Sequence, residues 1–435
     1  MKWIPVVLSV LVFYSCKNEN QAPLCNITYP GDGEEIELGV LITVSASAED
    51  HDGAIAEVCF YSDDIKIGSA DTVPYSVAWN TFGQELGSHI LKAEAKDDRG
   101  DLTPDEIHVI IVHNLPSVTT NQVSGITYSA ASCGGNITNE GSDVVTARGV
   151  CWSTGAIPTV ESRHTSDGSG TGEFGSSITD LIPQTTYKVR AYATNSFGTG
   201  YGQEVEFTSE DQEYGTLEDT DGNSYKTIQI GSQTWMAENL RVTHYPDGTP
   251  VPLVTDQNEW ETYGDNDIDR AYCWYGNDSL TYSQKYGALY TFAAATNGTP
   301  WDGITNVQGV CPDGWHVPSQ SDWYGLESYM RYQGFNQVMG TVLKSKEGWY
   351  NYDGDPEGNG TDVFHFGGLP GGLRDWREES AFTGEGIRGV WWSSMEYPSS
   401  NHTVGQTYAL IFNFPTLAHF YDAKSAGISV RCIKD

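Results

Sequence analysis

Three aromatic side chains, Trp349, Tyr350 and Tyr352, stand beside a run of alternating carboxylates and glycines, Asp353-Gly354-Asp355-Pro356-Glu357-Gly358-Asn359-Gly360-Thr361-Asp362. Asp375-Trp376-Arg377 follows a glycine-rich turn soon after. Aromatic rings stack on the apolar faces of sugars, while carboxylates and amides bind the hydroxyls. Trp349, Tyr350, Tyr352, Asp375 and Trp376 therefore form a candidate ligand-binding surface. Core filling is the competing reading, because Trp is highly buried on average. The acidic run also lets several oxygens converge on one hard cation, which leaves Ca2+ open as an alternative; a solvated acidic loop is the plainer reading. Asp50, Asp52, Asp63 and Asp64 pose the same choice, and there turn formation is preferred. No cofactor is otherwise expected, and no metal site is assigned.

Catalytic signatures are absent from the sequence. There is no G-x-S-x-G, no phosphate loop and no dinucleotide fingerprint. His244, His316, His365, His402 and His419 are scattered without metal-ligand spacing, and His316 reads as a packing or capping residue beside its helix. Carboxylate pairs for glycoside hydrolysis carry no signal in so acidic a chain. The chain is expected not to be an enzyme.

The elements that must position these residues belong to a long, acidic, glycine-rich chain. Its 435 residues predict two to four domains. Lys plus Arg number 23 against 58 Asp plus Glu, a net charge of -35, shared almost equally by the two sides of Ser209. Such a field repels a phosphate backbone, so no nucleic-acid partner is expected. With 48 Gly, 12% aromatic and 19% charged residues, the composition suits turn-rich β domains.

Residues 1–16, MKWIPVVLSVLVFYSC, carry a short positive start and an apolar stretch too short to span a bilayer. Ser15 followed by Cys16 resembles the cleavage site of bacterial lipoproteins, of the type found in the Bacteroidota. The resemblance implies acylation of Cys16, a membrane contact through that lipid anchor only, and a place in the outer membrane at the cell surface. Residues 1–15 are then the signal peptide and 16–22 a tether. Seven other Cys remain, in local sets: Cys25 with Cys59, Cys133 with Cys151, and Cys273, Cys311 and Cys432 together. An exported protein keeps disulfides, although buried free thiols are an equal alternative.

Residues 23–113 alternate short apolar runs with Asp/Gly turns, as a β-sandwich does. The pieces SASAEDHDGAIAEVCFY, VPYSVAW and GSHILKAEAKDDRG resemble bacterial immunoglobulin-like modules. In residues 114–209, Tyr187 stands where its hydroxyl closes a corner, and Val189, Ala191 and Ala193 fall on one face. The run Leu181-Ile182-Pro183-Gln184-Thr185-Thr186-Tyr187-Lys188-Val189-Arg190-Ala191 resembles a fibronectin type III module, which implies a spacer.

Residues 210–435 differ again: ten of the 13 Trp lie beyond Tyr214. Asp219-Thr220-Asp221-Gly222-Asn223 reads as a hairpin turn, Tyr286 opens a helix running to about Thr296, and Ser319-Gln320-Ser321-Asp322 is a capping box. Behind that box Trp323, Leu326 and Met330 share a helical face. Trp315, Trp323 and at least one of Trp391 and Trp392 are assigned to the core. The strings DGNSYKTIQIGSQTWMAENL, YGALYTFAAA, CPDGWHVPSQSDWYGL, FGGLPGGLR, WWSS and SVRC closely resemble the Fibrobacter succinogenes major paralogous domain, itself similar to C-type-lectin-like folds. That resemblance implies a bridge between Cys311 and Cys432. Formylglycine-generating relatives use closely spaced late thiols, which this sequence lacks, and the calcium-binding sugar motifs of lectins are also missing.

The fold expected is multidomain: two all-β sandwiches, Ig-like and fibronectin type III-like, followed by an α+β C-type-lectin-like domain. The function expected is a non-catalytic cell-surface lipoprotein whose head binds polysaccharide or glycoprotein. The alternatives are a protein-binding adhesin or surface assembly component, and a glycan hydrolase.

Overall fold

A computed structural model describes residues 19–350, 358–375, 381–398 and 403–435. The chain is multidomain and mostly β, with few helices. It divides into two compact units. One holds the described residues up to Val123 with Cys133–Ser176 and Lys188–Glu206; the other holds Ser124–Ser132, Ser177–Tyr187 and Phe207–Asp435.

The first unit begins with a two-sheet sandwich. Leu24–Tyr29, Leu41–Glu49 and Tyr75–Asn80 form one sheet; Glu34–Glu37, Leu102–Val112, Gly87–Asp97, Ile55–Ser62 and Ile65–Ala70 form the other. Period-two alternation sends Leu91, Ala93 and Ala95 of one strand, and Ile107, Val109 and Ile111 of its neighbour, into a core around Trp79. Asp63 and Asp64 form the turn between Ile55–Ser62 and Ile65–Ala70. Asp63 and Asp64 take φ of 45° and 66°; Asp63 accepts from His89 Nδ1 at 2.5 Å and from the Ile90 N–H at 2.9 Å. Asp52 pairs with Arg99 at 2.7 Å.

The second set of strands pairs Ala147–Ser153 with Thr186–Asn195, which continues to Gly198–Tyr201. Val189, Ala191 and Ala193 are all buried. In the other unit, the Ile182 N–H donates to the Tyr187 hydroxyl at 2.8 Å, closing the corner anticipated for that tyrosine.

The C-terminal module carries two sheets. One runs Gly215–Glu218, Ser224–Ile230, Gln233–Met236, Ile433–Lys434, Trp315–His316. The other runs Tyr272–Cys273, Leu289–Tyr290, Ile428–Ser429, Arg388–Pro398, Gly371–Arg374, Phe382–Glu385, with Thr403–Ile411 and Ala418–Asp422 extending it from Arg388–Pro398. Trp391 and Trp392 are adjacent, yet both are fully buried. Successive strand residues point to opposite faces, so Trp391 enters one core with Trp235, Trp323 and Phe366, and Trp392 enters the other with Phe292 and Tyr290.

The helix expected over 286–296 is broken. Ser279–Tyr286 is a helix that stops at Gly287, whose φ of 71° ends it. A side chain at Gly287 would also meet the Leu240 carbonyl at 2.6 Å. Leu289–Tyr290 then pairs with Tyr272–Cys273 and Ile428–Ser429, and only Phe292–Ala295 turns helical again. Sheet pairing here replaces the middle of the expected helix. The capping box does form: Ser319 Oγ accepts from the Asp322 N–H and Asp322 accepts from the Ser319 N–H at 2.8 Å, opening the helix Gln320–Tyr332.

Irregular loops leave buried carbonyls without ladder partners, and buried cations satisfy them. Lys344 Nζ donates to the Ile411 and Phe412 carbonyls at 2.9 and 3.0 Å. Arg374 donates to the Val254 carbonyl at 2.9 Å with its guanidinium 4.0 Å from the Trp260 ring. Arg431, fully buried, donates to the carbonyls of Phe366 and Gly367. A disulfide joins Cys311 and Cys432 with Cα atoms 5.9 Å apart. Cys25, Cys59, Cys133, Cys151 and Cys273 are free thiols, so the pairs 25–59 and 133–151 are not bridged.

Candidate functional site

The rings first singled out part company in the structure. Trp349 is a core residue, 4% exposed, and its indole N–H donates to Ser345 Oγ at 3.0 Å and to the Gly368 carbonyl at 3.1 Å. The expectation that its face meets ligand is corrected: the ring packs among Leu343, Phe364 and Leu410, with Lys344 Nζ 5.2 Å from its centroid. Tyr350 stays 51% exposed, edge-on to Phe412 at 5.9 Å. Asp375 is buried, and its backbone N–H donates to the Ala381 carbonyl at 2.9 Å. Tyr352, Trp376, Cys16 and Asp353, Asp355 and Glu357 of the acidic run lie outside the described residues. The rest of that run is used locally. Asn359 accepts from the Trp349 N–H at 3.1 Å and Asp362 from the Gly367 N–H at 2.8 Å. Burial pushes the Asp362 carboxyl above its usual range.

A different part of the module forms a groove of about 350 Å³. One wall is the helix Gln320–Tyr332, presenting Gln320, Ser321, Tyr324 and Glu327; the opposite side is Gln406, Tyr408 and His419 of the antiparallel strands Thr403–Ile411 and Ala418–Asp422. Gln320, Tyr324 and Glu327 recur at helical spacing on the side next to the apolar stripe of Trp323, Leu326 and Met330. That stripe docks the helix on the sheet, with Trp323 stacked on Tyr408 at 4.6 Å and an interplanar angle of 11°. Docking fixes the groove between them. Tyr408 faces His419 across the ladder, ring centroids 6.1 Å apart.

The groove carries one buried polar atom without a partner. Gln406 is 1% exposed and its Oε1 accepts no hydrogen bond. A buried acceptor left empty costs about 1–3 kcal/mol; of the nine buried side-chain polar atoms without a partner among the described residues, Gln406 Oε1 is the one that belongs to a residue lining this groove. Above it Tyr324 is 62% exposed. Glu327 is held by Arg331 at 2.7 Å. Sequence reading missed this set. The polar stripe Gln320-Tyr324-Glu327 was legible as a helix face, but its opposite wall comes from residues some 80 to 100 positions later.

Three described histidines of the module, His244, His365 and His316, meet carboxylates, whereas His419 stands exposed in the groove. His244 meets Asp221 at 2.7 Å. His365 lies 2.9 Å from Asp211 and 3.1 Å from the Tyr214 hydroxyl. His316 bridges Asp435 at 2.6 Å and Asp322 at 3.2 Å, which ties the capping box to the end of the sheet. Burial alone would lower the His316 pKa, but the two carboxylates prevail and raise it. Among the described residues no group of three or more His, Cys, Asp or Glu is arranged to hold a metal ion.

Comparison with known families separates the chain into parts. Residues 228–434 match the Fibrobacter succinogenes major domain. The matched range includes both cores of the module and the groove residues Tyr324, Gln406 and His419. Residues 23–108 match the bacterial Ig domain. No curated protein matches the chain. Among solved structures, the fibronectin(III)-like modules of Clostridium thermocellum CbhA are 27% identical, over 20% of this chain and 96% of theirs, with a TM-score of 0.19. The endo-beta-1,4-mannanase from Thermotoga petrophila is 19% identical over 22% of this chain, which spans about a fifth (21%) of that enzyme, with a TM-score of 0.18. Domains A168-A170 of titin are 12% identical over 44% of this chain and 68% of theirs, with a TM-score of 0.21. TM-scores this low bear on no activity of the chain.

Proposed function

We propose that this chain is a non-catalytic, lipid-anchored protein of the outer cell surface, in which two β-sandwich modules act as spacers and the C-terminal module, lectin-like in character, binds polysaccharide or glycoprotein. The observation that carries the reading is the groove beside Tyr324 with the empty acceptor Gln406 Oε1. An exposed ring next to a buried acceptor is what a pyranose requires, one face to stack and one hydroxyl to donate. Ig-like and fibronectin-like modules support the spacer role, since such modules are generally non-catalytic. Acylation of Cys16 would supply the anchor. Tyr350, Tyr352 and Trp376 are proposed as a secondary contact region.

Retention of the full mature chain on immobilised polysaccharides tests the reading. Retention that falls when Tyr324→Ala is introduced supports it; an unretained wild-type chain, across glycans and glycoproteins alike, removes it. Detergent-dependent release of the wild-type protein from membranes, lost in Cys16→Ser, tests the anchor.

A further inference from the structure

The groove does not end at Gln406. Paired residues of an antiparallel ladder share a face, and here Tyr408 pairs with His419 and Gln406 with Tyr421, while Tyr397 pairs with Val404 on the adjoining strand. Tyr421 and Tyr397 stand on the same face as the groove floor, ring centroids 5.1 Å apart, 46% and 49% exposed. From Tyr408 to the level of Tyr397 the face runs about four residues, roughly 14 Å at the usual strand rise and longer than one pyranose ring. Exposed Tyr324 and His419 lie at one end and the Tyr421–Tyr397 pair at the other, with Gln406 Oε1 between them.

The polar groups along this track select a kind of sugar. Gln406 Oε1 accepts and cannot donate, so it takes a hydroxyl or amide N–H. Glu327 is a carboxylate and also accepts. Among the described residues lining the groove there is no Lys or Arg; the Arg331 guanidinium beside it, 5.9 Å from the Tyr324 ring centroid, is already paired with Glu327 at 2.7 Å, so no unpaired cation is offered to an anionic sugar, and the chain carries a net charge of -35. Resting on the glycan reading above, we infer that the face from Tyr324 and Gln406 to Tyr421 and Tyr397 is an extended site for an uncharged polysaccharide chain, with a sugar hydroxyl donating to Gln406 Oε1, and that it discriminates against uronic-acid polymers.

The test uses the full mature chain and three soluble probes of one backbone length: galactomannan, polygalacturonate and chitosan, each measured by affinity electrophoresis and calorimetry. Galactomannan is expected to bind roughly tenfold or more tightly than polygalacturonate, with affinity rising from its monosaccharides to its tetrasaccharides. Gln406→Leu should weaken galactomannan binding by roughly tenfold. Tyr397→Ala and Tyr421→Ala, at exposed positions where folding is not at stake, should flatten the dependence of affinity on chain length. Equal or tighter binding of polygalacturonate or chitosan overturns the inference and leaves the glycan reading standing. So does chain-length dependence that survives both tyrosine substitutions. Binding of none of the three overturns the inference, and the glycan reading with it only if the wider panel of glycans and glycoproteins also fails.

Discussion

Asn239 and Arg431, 192 residues apart, meet in the buried centre of the C-terminal module, where Asn239 Oδ1 accepts from Arg431 Nη2 at 2.8 Å and from Nε at 3.2 Å. The same oxygen accepts from Trp391 Nε1 at 2.8 Å, and Asn239 Nδ2 donates to the Tyr286 carbonyl at 2.8 Å. One amide thus joins the MAENL, YGALY, WWSS and SVRC motifs. The Arg431 guanidinium lies 4.3 Å from the Phe366 ring. These motifs hold the fold together, so their polar groups are spent inside the core rather than on a ligand.

Removing that amide should be severe. Asn239→Ala leaves the Arg431 guanidinium and the Trp391 indole N–H short of an acceptor in the core. A loss of about 1–3 kcal/mol is expected, the range for leaving buried donors without their acceptor. Denaturant unfolding of the wild type and variant checks it, and an unchanged midpoint would refute the hub.

The Cys311–Cys432 bridge closes a loop of 121 residues. Chain-entropy arguments put the stabilisation from a loop of that length at about 4–5 kcal/mol. Paired Cys311→Ser and Cys432→Ser substitutions should lower the Tm markedly, and a reducing agent should do the same to the wild type while leaving the double variant unaffected. Calorimetry with and without reductant reads both.

Trp349 and Tyr324 should separate stability from binding. Trp349→Ala empties a core position and should cost about 3–5 kcal/mol. Tyr324→Ala, at a ring that is 62% exposed, should move stability by no more than about 0.5 kcal/mol yet reduce glycan retention. Parallel unfolding curves and retention assays distinguish the two; equal losses of stability would place Tyr324 in the core after all.

The His316–Asp322–Asp435 array predicts a stability window in pH. Its carboxylates raise the His316 pKa above 6.5, so this stabilisation is full below 6.5 and is lost as pH rises through the folded value. Burial alone would raise the Asp322 pKa, but bonds from His316 and Ser319 prevail and lower it below 3.8, so its contribution is full above 3.8 and is lost as pH falls through the folded value. Tm measured against pH should therefore show a decline on the alkaline side that is blunted in His316→Gln. An identical alkaline profile in both proteins would refute the assignment.

The local rules were legible without coordinates. Alternation along the strands of the first sandwich, the Tyr187 corner and the Ser319–Asp322 capping box all follow from backbone geometry acting within a few residues of itself. What depended on distant chain was not. The run from Tyr286 to about Thr296 reads as one helix across Gly287, but strand partners more than 130 residues away pull Leu289 and Tyr290 into a sheet. Trp349 looked free beside an acidic run until Ser345 and Gly368 enclosed its indole. The groove is the clearest case: Tyr324, Gln406 and His419 become neighbours only after Trp323 stacks on Tyr408. Residue type and spacing state what a side chain is able to do; whether it ends up enclosed, satisfied or facing an opening depends on which distant surface packs against it, because burial and hydrogen-bond partners are properties of the assembled interior.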